Sequence, residues 1–241
     1  MTLKKEDVAA YASQMIAASD AEHKMPKSGS SYDRRLKKII KTLGSEIPDS
    51  NVNFKIYVDK TPNASASPDG SIRINTGLFD IMTDDEVLFV LGHELGHYID
   101  GDTVDKMKAS LIASAVLKAT TAVAENVGGN AGTIVALTRG QAGELLKRFT
   151  ESQFSQKQEY DADKYGYQMM LRLHKDPRAA MTGLSKLSNY SSLTAVIAMA
   201  SHPATSDRVA AIERMIEGKE DPKKKSSDDN DGNTFGVSDG G

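Results

Sequence analysis

A chain of 241 residues, 39% apolar and 26% charged, can bury a substantial core in one large domain or two small ones. A formal net charge of −3 gives no argument for nucleic acid or an acidic surface as partner. Cysteine is absent, which excludes disulfides and Cys-based zinc sites, so any zinc must rest on His and carboxylate.

No apolar run reaches the ~18 residues of a membrane span. The start, Met1 to Asp7, is followed by no apolar core of a secretory signal. Two compartments stay open: the cytoplasm, or the envelope for a mature form whose export signal an initiator Met replaced.

In chain order, residues 4–24 read as a helix, with Val8, Ala12, Met15, Ile16 and Ser19 at helical spacing. Residues 26–31 break it. A second helix covers 31–43, with Leu36, Ile39, Ile40 and Leu43 on one side and Gly44 as its stop. Both read as scaffold, and His23 reads as a surface residue.

Strand signals follow. Residues 52–58 alternate polar and apolar. Residues 63–67 and 71–75 flank Pro68-Asp69-Gly70, a turn-forming triplet. Three strands in a small antiparallel sheet are expected. Asn63, Ala64, Ser65 and Ala66 are small enough for another backbone to approach. This stretch is either an edge to which a peptide adds as an extra strand or an ordinary hairpin. A short helix covers 77–82.

Thr83-Asp84-Asp85-Glu86 has the pattern of a capping box. The helix it opens carries Val87, Leu88, Val90 and Leu91, ends near Gly101, and is apolar on most sides, so it belongs in the core. Within it stands His93-Glu94-Leu95-Gly96-His97, a His-Glu-x-x-His pattern. Two histidines four apart project from one helical face and can reach one metal ion. Glu94 beside them can take a proton from water.

Residues 104–149 fit two helices separated by the glycine-rich stretch 128–132, forming either a connecting hairpin or a cover over a cleft. Residues 155–173 read as one helix and 177–187 as another, opened by Pro177. His174 lies between them as a surface residue. An apolar segment, 193–200, leads to Ser201-His202-Pro203, then a last helix over 206–217. From Gly218 the composition is that of a disordered tail.

The His-Glu-x-x-His pattern is short and also arises by chance. A catalytic zinc needs a third protein ligand and one open position. In one class a Gly and a third His follow the motif closely; here those positions hold Asp100 and Thr103, which excludes that class. The other common arrangement takes a glutamate from a second helix. Glu159 and Asp163, four apart, offer a ligand and a carboxylate to orient a liganding histidine, unless they are a solvated acidic face. His202, held extended by the following proline, is either a cleft residue that stabilises an oxyanion or a surface residue. Arg208 can pair with an acid near the metal or brace this loop.

These three elements, in this order, resemble the M48 family of zinc peptidases, which includes the Ste24 and HtpX proteases. The likeness rests on His93-Glu94-x-x-His97, Glu159-x-x-Ala162-Asp163, Ser201-x-Pro203 around His202 with Arg208, and the strand Asn63-Ala64-x-Ala66. It covers residues 50–215. It implies a mostly helical α+β, gluzincin-type fold with the small sheet beside the His-Glu-x-x-His helix. Residues 1–217 would form the peptidase domain, with N-terminal helices in 1–48 and a catalytic core in 50–217, and 218–241 the tail.

The resemblance also implies a zinc endopeptidase acting on proteins or peptides. One Zn²⁺ would be held by His93, His97 and Glu159, with Glu94 as general base and His202 as oxyanion donor. Alternatively His202 caps the metal in a latent state, and the chain is a zinc-bearing chaperone-like or binding module that rarely cuts. The absence of membrane helices likens it to soluble, lipid-anchored envelope members, which implies a periplasmic or envelope location and quality control there; the cytoplasm is the alternative. Substrate preference and oligomeric state are not readable from these residues.

Overall fold

The computed structural model describes residues 3–114, 136–190, 202 and 206–219. Helix α1 spans Lys5–Glu22 and α2 spans Ser31–Leu43. Gly44, at φ +50°, lets the chain leave α2, and its N–H closes on the Ile40 carbonyl. A 3₁₀ turn, Gly44–Glu46, leads to strands β1 (Asn53–Tyr57), β2 (Ala64–Ala66) and β3 (Ser71–Asn75), then α3 (Thr76–Ile81). Helix α4 spans Asp84–Ile99 and α5 spans Asp102–Ala113. After them come α6 (Arg139–Glu151), α7 (Gln156–Arg172), α8 (Arg178–Ser188) and α9 (Ser206–Ile216).

Outside 104–149 the expected helices form within a residue or two of the expected bounds; within that stretch α5 already ends at Ala113 and α6 begins only at Arg139, so the expected pair broken only at 128–132 is not what forms. The glycine-rich break at 128–132, the apolar segment 193–200 and nearly all of the tail lie outside the described residues.

The sheet differs from expectation. Its order is β1-β3-β2, with β2 antiparallel to β3 but β1 parallel to it, so the sheet is mixed. The turn at Pro68–Gly70 does join β2 to β3. β1 and β2 are not neighbours, because residues 58–63 carry the chain past the slot that β3 later fills. That crossing is pinned against α3: the Gly77 N–H and the Thr76 hydroxyl both donate to the Asp59 carbonyl at 2.8 Å. A Cβ on Gly77 would lie 2.1 Å from the Lys60 carbonyl oxygen, so only glycine allows the crossing.

Helix α4 is the centre of the molecule. Every residue from Glu86 to His97 is buried. Its start is the expected capping box: the Thr83 hydroxyl accepts from the Glu86 N–H at 3.3 Å, and the Glu86 carboxylate accepts from the Thr83 N–H at 2.7 Å. Leu88, Leu91 and Leu95 pack with Ile72 and Ile74 of the sheet, Met169 of α7 and Leu184 of α8 in the main core. A second core joins α1, α5 and α6 through Met15, Met107, Leu111, Leu145 and Phe149.

Helix α1 is also tied to the sheet by charge. Buried Arg73 of β3 donates to the Asp20 carboxylate at 2.8 Å. Burial alone would raise the pKa of Asp20, but hydrogen bonds from Arg73, Lys55 and Tyr57 outweigh it and hold that carboxyl at about 2. His23 is half-buried rather than a free surface residue, stacked on Tyr57 with ring centroids 4.1 Å apart. His174 is exposed at the end of α7, with φ 55°.

Candidate metal centre

The site depends on how closely α4 and α7 cross. Gly92 and Gly96 of α4 meet Ala162 and Gly166 of α7. A Cβ on Gly96 would sit 3.0 Å from the Ala162 Cα, and one on Gly166 would sit 3.1 Å from the His93 nitrogen. Four small residues at i,i+4 spacing let two backbones touch. Contact at that distance brings Glu159, one turn before Asp163, to the two histidines of α4.

One ligand-type atom from each of His93, His97, Glu159 and His202 lies within 4.8 Å of the others. The Nε2 atoms of His93 and His97 are 3.1 Å apart. His202 Nδ1 is 3.1 Å from His93 Nε2 and 2.9 Å from Glu159 Oε1. Each histidine ring of α4 is held from behind: His93 Nδ1 is 2.9 Å from Asp163, and His97 Nδ1 is 2.8 Å from Asp102. Arg208 grips Asp163 with two hydrogen bonds of 2.7 Å and reaches Glu159 Oε2 at 2.5 Å. Glu94 accepts from the Ala66 N–H of β2 at 2.7 Å, and its other oxygen is 3.7 Å from His202 Nε2.

The sequence profile of peptidase family M48 matches residues 29–216. The chain belongs to peptidase family M48. Its sequence is 34% identical to metalloprotease LoiP of Escherichia coli (strain K12) over 211 residues, 88% of this chain and 81% of LoiP. It is 30% identical to metalloprotease YcaL of the same strain over 219 residues, 90% of this chain and 84% of YcaL. It is 27% identical to the mitochondrial metalloendopeptidase OMA1 of Danio rerio over 218 residues, which is 43% of that longer protein. This M48 chain is accordingly a metalloendopeptidase with protein substrates.

The donor set of this M48 peptidase fits a metal cation. With both Nδ1 hydrogens directed at Asp163 and Asp102, the Nε2 atoms of His93 and His97 present facing lone pairs. Facing lone pairs at this separation repel unless a proton or metal ion lies between them; a tetrahedral ion with ~2.0–2.1 Å bonds spaces its nitrogens by ~3.4 Å. No directed hydrogen bond satisfies either buried oxygen of Glu159, although His202, Arg208 and the histidine pair approach them.

The electrostatics agree. Burial lowers the pKa of His93, and lowers that of His202 to about 4. Burial would lower His97 too, but Asp102 and Glu159 raise it to about 9. Asp163 stays ionised despite burial because Arg208 lies against it.

Four neighbours were not anticipated. Asp102 holds His97. Gln158 Nε2 donates to Asp102 at 2.8 Å. Phe154 stacks on His97 with centroids 3.9 Å apart, while the Lys106 ammonium lies 4.1 Å from the Phe154 ring centre. Phe154 therefore packs against both the His97 ring and the Lys106 ammonium. The signal for Asp102 was local: a carboxylate just past a glycine that ends the motif helix.

Of the expected strand residues, Ala66 touches Glu94, and Asn63 and Ala64 line the cavity beside it. Ser65 lies in β2 without a contact to the cluster among those described.

Proposed function

We propose that this chain is a zinc-dependent endopeptidase of envelope protein quality control, with residues 1–217 as its peptidase unit. The observation that carries the zinc reading is the convergence of His93, His97 and Glu159 beside Glu94, in a buried site whose lone pairs call for a cation. Cysteine-free nitrogen and carboxylate donors, three in number, suit a catalytic zinc. Zinc bound there supplies a Lewis acid that polarises the scissile carbonyl and acidifies a water.

The chain's own residues do the rest. Ala66 N–H fixes one oxygen of Glu94, which leaves the other to face the cluster and take the proton of the attacking water. Water oxygen bonds to the carbonyl carbon, the C–N bond breaks, and Glu94 delivers the proton to the leaving amine. Asp163 and Asp102 hold the histidine tautomers, and Arg208 keeps Asp163 and Glu159 in place. His202 serves as the oxyanion donor once a carbonyl enters.

Substrate backbone pairs with the outer edge of β2. The ladder bonds of β2 to β3 use Asn63 and Ser67, so Ala64 and Ala66 turn their N–H and C=O groups away from β3. The Ala66 N–H is taken by Glu94, which leaves Ala64 as the pairing residue.

The second reading, a latent zinc-bearing module, is favoured by one observation: His202 Nδ1 stands inside the donor cluster, where it can act as a fourth ligand. Envelope location and quality control rest on the resemblance to soluble envelope members of the family. Among the described residues, no helix is long and apolar enough to cross a membrane.

The test is casein digestion by the purified chain and its Glu94→Gln form, with metal content measured on both. The Gln form keeps its metal and loses cleavage, and chelation abolishes cleavage by the native chain. Undiminished cleavage by Glu94→Gln would remove Glu94 as the base.

A further inference from the structure

Lys106 of α5 is only 8% exposed, yet among the described residues its ammonium has no hydrogen bond and no ion pair. Two phenyl rings meet it instead: its nitrogen lies 4.1 Å from the centre of Phe154 and 4.8 Å from that of Phe149. Burial draws its pKa down to about 8, against the pull of Glu94 and Glu159, so it is still a cation at neutral pH. A buried ammonium without an ion pair costs folding free energy. Phe149 beside it belongs to the second core, where an apolar side chain of the same length would pack without that cost. The charge therefore calls for a role other than holding the fold.

The local sequence accounts for what the charge touches. Asp102 and Lys106 are four apart, so one face of α5 carries both. Asp102 holds the edge of the His97 ring at Nδ1. Phe154 directly precedes Ser155, the N-cap of α7. A hydrophobic residue at that position ordinarily packs on the fourth residue of the helix. Here the fourth residue is Glu159, which belongs to the donor cluster. The phenyl lies on the His97 ring instead, with the two planes 12° apart, and its centre is 4.8 Å from that of the His202 ring. A carboxylate thus holds His97 at its edge and a phenyl covers its face, and α5 supplies what holds both.

We propose that Lys106 is a positioning residue of the metal centre: its ammonium holds the Phe154 ring flat on His97, and through that stack it fixes the plane in which His97 presents Nε2. An ammonium is drawn to the negative face of a phenyl ring, most strongly where both are shielded from water. The proposal rests on the reading of His97 as a zinc ligand given above.

The test uses the full chain loaded with Zn²⁺ at pH 7. Histidine ring protons are read by NMR, zinc affinity by competition with a chelator, and Tm by thermal unfolding. A phenyl face moves the resonances of protons lying over it upfield, so native His97 should carry a displacement that Phe154→Leu abolishes. Lys106→Met keeps the length and the apolar stem and removes the charge. It should lose most of that displacement and weaken zinc binding about tenfold, while Tm holds or rises. Lys106→Arg, which returns a cation to the rings, should restore both displacement and affinity. If Lys106→Met does not fold, Lys106→Gln carries the same comparison. His97 resonances left unchanged by Phe154→Leu or by Lys106→Met overturn the proposal and leave the zinc reading standing. A loss of affinity that comes with a fall in Tm also overturns it, because that pattern marks general loosening. A native chain that binds no Zn²⁺ sinks the zinc reading, and this proposal with it.

Discussion

The Nδ1 atom of His97 stands 2.8 Å from a carboxylate oxygen of Asp102, five residues further along the chain. A continuous helix would carry residue 102 past His97. Gly101, at φ +81°, breaks the helix and turns the chain so that α5 begins with Asp102 facing back. The second oxygen of Asp102 accepts from Gln158, whose own side-chain oxygen caps the start of α7 at 2.9 Å. The His97 ring is thus tied to the helix that carries Glu159.

Asp102→Asn places a donor where His97 needs an acceptor. It should weaken metal binding about 10- to 100-fold with little loss of fold, as read by competition with a chelator of known affinity. Unchanged affinity would mean that packing on Phe154 alone orients His97.

Glu159→Ala removes the carboxylate that α7 brings to the histidine pair. Metal content by elemental analysis should fall well below that of the native chain. Arg208 keeps its pair with Asp163, so the variant should fold. Native metal content in this variant would take Glu159 out of the ligand set.

His202→Ala leaves His93, His97 and Glu159 to hold metal, so metal content should persist. As oxyanion donor, His202 should carry about 10²–10³ in kcat with little effect on KM. A rise in kcat instead would establish the latent reading.

Gly96 tests the helix crossing. A branched side chain in Gly96→Val must push against Ala162 and Tyr165, and should cost about 1–3 kcal/mol while weakening metal binding. Gly143 in α6 has nothing within 4 Å of an added Cβ, so Gly143→Ala should raise Tm slightly through helix propensity. Thermal unfolding of the two variants against the native chain checks the opposite signs.

The Asp20–Arg73 pair sets a pH dependence of stability. Asp20 has a folded pKa of about 2, below the usual carboxylate value of 3.8. A depressed carboxylate stabilises above its unfolded pKa, and that contribution disappears as pH falls through the folded value. Asp20→Asn should therefore be less stable than the native chain at pH 6, by ~1 kcal/mol after solvent screening, and the gap should close toward pH 2. Urea unfolding at both pH values reads it; a gap independent of pH would assign the loss to packing.

Much of the site could be read before any fold was known, because its parts are local. The spacing of His93 and His97, and of Glu159 and Asp163, is helical periodicity within one segment. The capping box at Thr83 and Glu86 says where the motif helix starts. The alternation in residues 52–58 identifies a strand, yet cannot name its partner, since pairing depends on where the chain crosses at Gly77. That is why an antiparallel sheet was expected and a mixed one is found.

By itself the sequence determined the residue types, their helical faces and the order of three motifs: half a metal site on α4 and an acidic face on α7. Tertiary structure alone decided that Gly92, Gly96, Ala162 and Gly166 meet, that Glu159 consequently reaches the histidines, and that His202 lies among them. It also decided that Leu184 and Leu187 close an apolar cavity onto Val90. The reason is geometric: periodicity orients a side chain about its own helix axis, whereas a metal site and a pocket require two axes to approach within a backbone's width.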